Sequence, residues 1–255
     1  MSHAENSEEI LAVLDAIGGG VTITTARREL ADRIIAAIAV GAYSPGEQLP
    51  SERELAERQG VSRVTVRGAI EIVREKGLLS SRRGRGGGTF VTDINVDQVA
   101  PGTTRRVLED EVPRLKAFMD FRCLIAGLEA RTAAERRTPR QAEKLICILA
   151  DFCATDDTSE ARKIDVELHK LITVMAANEQ LAAVTAQLHA RATMGFGAEP
   201  YPPQYLQRAR LEHSDLVHGI VEQDLEGAYQ AAYRHFSLTL TIAQDAFEQS
   251  LASIA

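Results

Sequence analysis

The stretch Ser51-Glu52-Arg53-Glu54-Leu55-Ala56-Glu57-Arg58-Gln59-Gly60-Val61-Ser62-Arg63-Val64-Thr65-Val66-Arg67 decides the fold of the first part of the chain. Ser51 followed by Glu54 has the form of a capping box, in which the serine hydroxyl accepts the amide of the third helical residue and that residue's carboxylate accepts the serine amide. A short helix is therefore predicted from Ser51 to about Gln59. Gly60 ends it and Ser62 caps a second helix, Arg63 to about Lys76, so that a connection of about three residues forces a steep crossing, a helix-turn-helix. On the second helix Val66, Ala69, Ile70 and Val73 fall together, while Arg63, Arg67 and Arg74, with Val64 beside them, fall on another side. One face packs and the other presents arginines, whose planar fork matches guanine O6 and N7. Thr65 or Ser62, near the helix N-terminus, can meet phosphate. A lone basic stripe usually means only a solvated face; here it follows a capped crossing and precedes a basic hairpin.

Outward from this pair, Leu30, Ile34 and Ile38 repeat at helical spacing, predicting a helix from about Thr25 to Val40 that stops at Gly41. Ser44-Pro45-Gly46 is turn chemistry. Downstream, Leu78 to Val91 reads as two short strands around Arg82-Arg83-Gly84-Arg85-Gly86-Gly87-Gly88, a flexible, basic wing. Residues 1–23 read as an arm with a short helix, Glu8 to Ile17, and a Gly18-Gly19-Gly20 joint. Residues 24–92 then form a winged helix-turn-helix, and residues 93–111, with Pro101-Gly102 and no sustained period, a linker. Residues 112–255 read as all helical: Val112–Arg137, Pro139–Asp151, Ser159–Ala177, Glu179–Gly195, Pro203–Gln223 and Leu225–Ser250. The expected fold class is mostly α, a winged helix with a small β-hairpin joined to an all-α bundle.

Charge divides the same way. The net charge of −7 argues against a nucleic-acid partner if taken alone, but residues 24–92 carry 12 Lys+Arg against 8 Asp+Glu, a basic module on an acidic body. No apolar run approaches the roughly 20 residues that cross a bilayer. The acidic start lacks the basic n-region of a secretory signal, so a cytoplasmic protein is expected. The 3 cysteines, Cys123, Cys147 and Cys153, have no Cys-x-x-Cys spacing and suggest neither a disulfide framework nor a zinc knuckle.

In the second half, Asp165 and His169 are spaced i, i+4 and project side by side next to the apolar row Leu168, Leu171 and Met175. His213 shares its sector with Leu206, Val217 and Ile220, and His235 lies in a stripe of Ala228, Ala231, Ala232 and Ile242. A single inward histidine is more often a hydrogen-bonded core residue than a ligand. Three imidazoles and a carboxylate on three helices, taken together, suit a divalent transition ion such as Zn²⁺, Ni²⁺ or Mn²⁺ with open positions. His3, His189 and His218 lack such company. Glu167 and Glu212 neighbour these residues in sequence but are expected on other helix faces.

The run Tyr43-Ser44-Pro45-Gly46-Glu47-Gln48-Leu49-Pro50-Ser51-Glu52-Arg53-Glu54-Leu55-Ala56, continued by Val61-Ser62-Arg63-Val64-Thr65-Val66-Arg67, resembles the GntR family of bacterial regulators. That resemblance implies DNA contacts at Arg53, Arg63 and Arg67, with Thr65 nearby and Gly86 of the wing entering the minor groove. It also implies a homodimer on a short palindromic operator with GT and AC half-site cores. Asp165-Val166-Glu167-Leu168-His169 with Asn178, Glu212-His213 with Asp224, Arg234-His235, and Arg122 with Glu129 resemble the FCD sensor domain of the family's FadR branch. By that resemblance Asp165, His169, His213 and His235 bind a metal ion. The effector is then a small carboxylate or sugar acid held by the ion and Arg122, with Asn178 and Arg191 as further contacts. Arg122 can instead simply pair with Glu129. The expected function is a metabolite-responsive transcriptional repressor and not an enzyme. Two alternatives stand beside it: a regulator that senses the metal itself, and a metalloenzyme, which lacks a candidate nucleophile or general base at a recognisable spacing.

Overall fold

A computed structural model describes residues 23–193 and 199–252. The expected arm, with its short helix and glycine joint, lies outside the described residues. Within them the order is α1 (Ile23–Ala39), α2 (Glu52–Gln59), α3 (Arg63–Glu75), β1 (Leu79–Arg82), β2 (Gly88–Val91), α4 (Val96–Val99), α5 (Pro101–Arg136), α6 (Pro139–Ala154), α7 (Thr158–Ala176), α8 (Glu179–Ala192), α9 (Pro203–Val221) and α10 (Leu225–Ala252).

The local chemistry explains the head. Ser51 and Glu54 form the reciprocal capping box at α2, and Gly60 closes that helix in the left-handed conformation at φ 65°, which glycine adopts without steric cost. The Ser62 hydroxyl accepts the Thr65 amide and starts α3. Val66, Ala69, Ile70 and Val73 are buried, as the wheel requires, and Val64 stands 59% exposed. Strands β1 and β2 pair antiparallel with Leu79 opposite Val91 and Arg82 opposite Gly88. Residues 46–49 add a partial third strand, with the Leu49 amide donating to the Thr89 carbonyl at 2.8 Å and the Val91 amide to the Glu47 carbonyl at 2.9 Å.

The segment expected to be an irregular linker is largely helical. After the single turn of α4, α5 starts at Pro101 and runs unbroken for 36 residues, with Pro113 inside it. Proline at the first helical position lacks only an amide that would have no partner there, so Pro101 opens a helix instead of interrupting one. Leu108 is buried and Arg106 pairs with Asp32 of α1, so this first part of α5 docks on the head. The hydrophobic period was masked because this segment packs across two units.

One apolar cluster consequently joins Ile34, Leu55, Val66 and Leu78 of the head to Leu108, Phe152, Tyr201 and Leu238 of the helical body. A second surrounds Ala133, Leu145, Leu168, Met175 and Ile220 deeper in the bundle. The head is also tied down by polar contacts. The Arg162 guanidinium of α7 donates to Glu47 and to the Gly41 carbonyl (3.2 Å), and the Ser44 and Thr158 hydroxyls bond at 2.6 Å. No helix among the described residues is long and apolar enough to cross a membrane.

Candidate functional site

Asp165 and His169 sit on successive turns of α7, His213 on α9 and His235 on α10, and the bundle brings the four together with one donor atom from each within 4.8 Å of the others. His213 Nε2 lies 3.0 Å from Asp165 Oδ1 and 3.4 Å from His169 Nε2, and His169 Nε2 lies 3.2 Å from His235 Nε2. His213 Nδ1 is 2.8 Å from the Ala209 carbonyl. A carbonyl only accepts, so Nδ1 carries the hydrogen and Nε2 of the neutral ring is left bare towards its neighbours.

The bare His213 Nε2 and Asp165 Oδ1 are both acceptors, and they repel unless a proton or a cation lies between them. Separations of about 3.0–3.4 Å are also what neighbouring ligand atoms adopt around an ion bound at about 2.1 Å. The donor set therefore fits a divalent transition ion. Burial, and then His213, pushes the His235 imidazole down to about 4, leaving it neutral, as a ligand must be. Burial would raise the Asp165 carboxyl, but His169 and His213 hold it well below the usual carboxylate range.

Three residues around the cluster escaped the sequence reading. Tyr201 donates its hydroxyl to Asp165 Oδ1 at 2.7 Å, and burial, with Asp165 itself, keeps the phenol protonated. Glu212, expected on another face, instead turns Oε2 to within 3.5 Å of His235 Nδ1, behind the ring. Helix α9 carries Glu212 half towards the bundle, where its i+1 neighbour His213 is fully buried. Phe152 packs against His213 with ring centroids 4.4 Å apart and walls off the cluster from below.

Beside the cluster opens a cavity of about 520 Å³ whose lining includes Arg122, Glu129, Asp165, His169, His189 and Glu199. Arg122 is 3% exposed and, although Glu129 shares its helix face, pairs instead with Glu199. The guanidinium also donates to Thr239 Oγ1 at 3.2 Å, Thr239 donates to Glu199 Oε2 at 2.9 Å, and His189 Nδ1 lies 3.2 Å from Glu199 Oε1. Burial would raise the Glu199 carboxyl, but Arg122 and His189 bring it far below the usual range. Phe236 stacks under the Arg122 guanidinium at 4.6 Å and closes that end. Glu129 sits two helical turns along α5; burial pushes its carboxyl up, and its buried Oε1 has no hydrogen-bond partner among the described residues. His189, grouped with the companionless histidines on sequence, is thus part of the cavity wall.

Asn178 and Arg191, expected beside an effector, are used elsewhere. Asn178 caps α8 by accepting the Leu181 amide, and the Arg191 guanidinium lies 4.5 Å over the Phe118 ring; both are exposed and outside the cavity lining. Their sequence spacing said nothing about which way the start and end of α8 face.

In the head, Arg53, Arg63, Arg67 and Gly86 are all exposed. Thr65 is turned inward at 6% exposure, its hydroxyl 2.9 Å from that of Ser62, so of this pair Ser62 is the exposed one. Arg67 is held by Glu52 through two bonds, Nε to Oε1 at 3.0 Å and Nη2 to Oε2 at 2.7 Å. Arg53 pairs with Glu57 at 3.0 Å. At the wing, Gln48 Nε2 donates to the Gly87 carbonyl at 3.1 Å and Arg82 stacks on Phe90, which fixes the direction of the hairpin.

Comparison with known proteins agrees with both halves. Residues 26–91 match the bacterial regulatory proteins of the gntR family, and residues 117–238 match the FCD domain. The chain is 32% identical over 215 residues to a protein assigned as the HTH-type transcriptional regulator RmpR of Mycobacterium gastri, covering 81% of this chain and 76% of that one. It is 30% identical over 226 residues to the protein assigned as the L-lactate dehydrogenase operon regulator of Escherichia coli K12, with 84% of each chain covered. It is 31% identical over 201 residues to the galactonate operon transcriptional repressor of the same organism, covering 75% of this chain and 85% of that one. With a winged helix-turn-helix, an FCD domain and regulators rather than enzymes as its relatives, the chain belongs to the GntR family of bacterial transcriptional regulators.

Proposed function

We propose that this regulator is a repressor that binds a palindromic operator as a homodimer and answers to a small carboxylate or sugar acid. In this reading residues 24–92 contact DNA through Arg53, Arg63, Arg67 and Gly86. The helical body binds a divalent transition ion, Zn²⁺, Ni²⁺ or Mn²⁺, through Asp165, His169, His213 and His235. The observation that carries it is the cavity, whose wall combines two members of the Asp/His cluster with the buried Arg122. A divalent ion only partly neutralised by one carboxylate keeps a positive field, and an arginine fork at the other end adds a directional anion partner. A volume of about 520 Å³ suits a small organic acid. The relatives named for lactate dehydrogenase and galactonate operons point to the same ligand chemistry.

Phe121, Leu124 and Leu128 form an exposed apolar row on α5, 51%, 43% and 46% accessible, which supports pairing through the helical body. Two-fold symmetry would then give the two heads a palindromic site. The test is a thermal-shift panel of hydroxy, keto, dicarboxylic and sugar acids on metal-loaded protein, repeated on Arg122→Ala and on chelated protein. Hits that vanish in both support the reading. Acid hits surviving both changes, or stabilisation by neutral and cationic compounds only, overturn it. Titrating operator binding with metal alone separates it from direct metal sensing.

A further inference from the structure

The anion seat in the cavity is not vacant ground for an effector. Glu199 already occupies it, with Arg122, Thr239 and His189 all directed at its carboxylate. Glu199 is 7% exposed, so this is an internal ion pair and not a surface one. A second carboxylate brought to Arg122 beside Glu199 would set two anions against one guanidinium in a poorly screened space, and repulsion there is several times that in water.

The residues that follow give this contact a reach beyond the cavity. Two positions on, Tyr201 donates to Asp165 of the Asp/His cluster. One further on, Pro202 abuts the head at Gly41, where an added Cβ would stand only 2.7 Å from the proline Cγ. Gly41 sits at φ 78°, and its carbonyl accepts from Arg162, which also holds Glu47. Residues 199–202 therefore form a strap with one end in the anion seat, its middle on Asp165 and its far end against the DNA-binding head.

We infer that Glu199 is a built-in competitor of the effector: an acid binds by displacing the Glu199 carboxylate from Arg122, Thr239 and His189, and the strap carries that displacement to the Gly41 corner of the head. This deepens the reading of the cavity as an acid-binding site and rests on it. The element with two positions is the strap, and the effector biases it by taking the seat that one position needs.

The experiment is calorimetric titration of full-length, metal-loaded protein with acetate, glycolate and succinate, comparing wild type with Glu199→Gln. Glutamine keeps the shape and a bond to Arg122 but gives up the charge. With the competitor weakened, an acid that binds wild type binds Glu199→Gln with Kd lower by about tenfold or more, the factor by which an occupied seat taxes apparent affinity. Equal Kd values overturn the competition while leaving the acid-effector reading in place. Binding of none of the acids to either protein removes both. Hydrogen exchange on wild type gives a check that needs no variant: saturating acid should speed amide exchange in residues 199–205 and 41–47. Changes confined to the cavity helices would overturn the strap.

Discussion

Arg67 of α3 grips Glu52 of α2 with two arms of its guanidinium, at 3.0 and 2.7 Å, across the turn of the helix-turn-helix. A carboxylate of the neighbouring helix thus shapes and aims the guanidinium fork that the proposed function assigns to the operator. Arg67 is largely solvent-exposed and Glu52 only partly buried, so solvent screening keeps the pair's contribution to stability small.

For that reason Arg67→Ala and Arg63→Ala should leave the thermal midpoint unchanged while weakening operator binding about ten- to a hundredfold each. Electrophoretic or fluorescence titration at fixed salt measures this. Unchanged affinity in both variants would remove α3 from the interface.

For the Asp/His cluster, protein purified without metal-chelate chromatography should carry about one divalent transition ion per chain, and His213→Ala should carry almost none. Because the four residues come from α7, α9 and α10, the ion should stabilise the bundle. Chelation should then lower the wild-type midpoint and leave that of His213→Ala where it was. Elemental analysis reading near zero in both proteins would exclude the site.

His189 gives a pH signature. Its bond to Glu199 raises the imidazole's proton affinity, against the opposing effect of burial. A folded value above the unfolded one, about 6.5, means that the stabilisation is complete below the unfolded value and is lost as pH rises through the folded one. Glu199 and Asp165, the carboxylates whose charge acts on it, are held below their usual range, and Arg122 opposes them. The stability of wild type over His189→Gln should accordingly be largest below about pH 6 and fade as pH rises past the unfolded value of about 6.5. Urea midpoints across that range measure it, and an advantage that grows with pH would contradict the assignment.

Arg162 and Glu47 are 5% and 17% exposed and pair between the body and the head. Removing Arg162 leaves the part-buried Glu47 carboxylate with the Ser44 amide but no cation, so Arg162→Ala should cost about 3 kcal/mol, the low end for such pairs. Replacing both by methionine should cost far less. Equal losses in the single and double variants, by urea unfolding, would show that the charge pairing is not what matters.

The parts of the molecule that repeat or follow local rules were legible in the sequence. Ser51, Glu54, Gly60 and Ser62 announce the helix-turn-helix because capping needs only residues a few positions apart. The Asp165–His169 spacing and the inward sectors of His213 and His235 announce the cluster because each follows from helical periodicity. What stayed hidden depends on non-repeating chain. Glu199 and Tyr201 lie in a proline-rich segment with no period, and only the tertiary fold brings them to Arg122 and Asp165. Glu212 sits at the edge of its helix sector, where a wheel cannot decide. Pro101-Gly102 looked like a break because proline ends helices more often than it begins them, yet it occupies the one turn that tolerates it.

The apolar cluster that runs from Ile34 and Leu55 of the head through Leu108 to Phe152, Tyr201 and Leu238 of the body constrains how this regulator can be rewired. A chimera that joins this DNA-reading head to another sensor at the segment before Pro101 would cut through a single interior and leave half of it facing water. A working graft has to bring along the first turns of α5 and the Glu199–Pro202 strap, or supply surfaces of matching shape, so the unit of exchange is larger than the sequence boundary between the two matched families suggests.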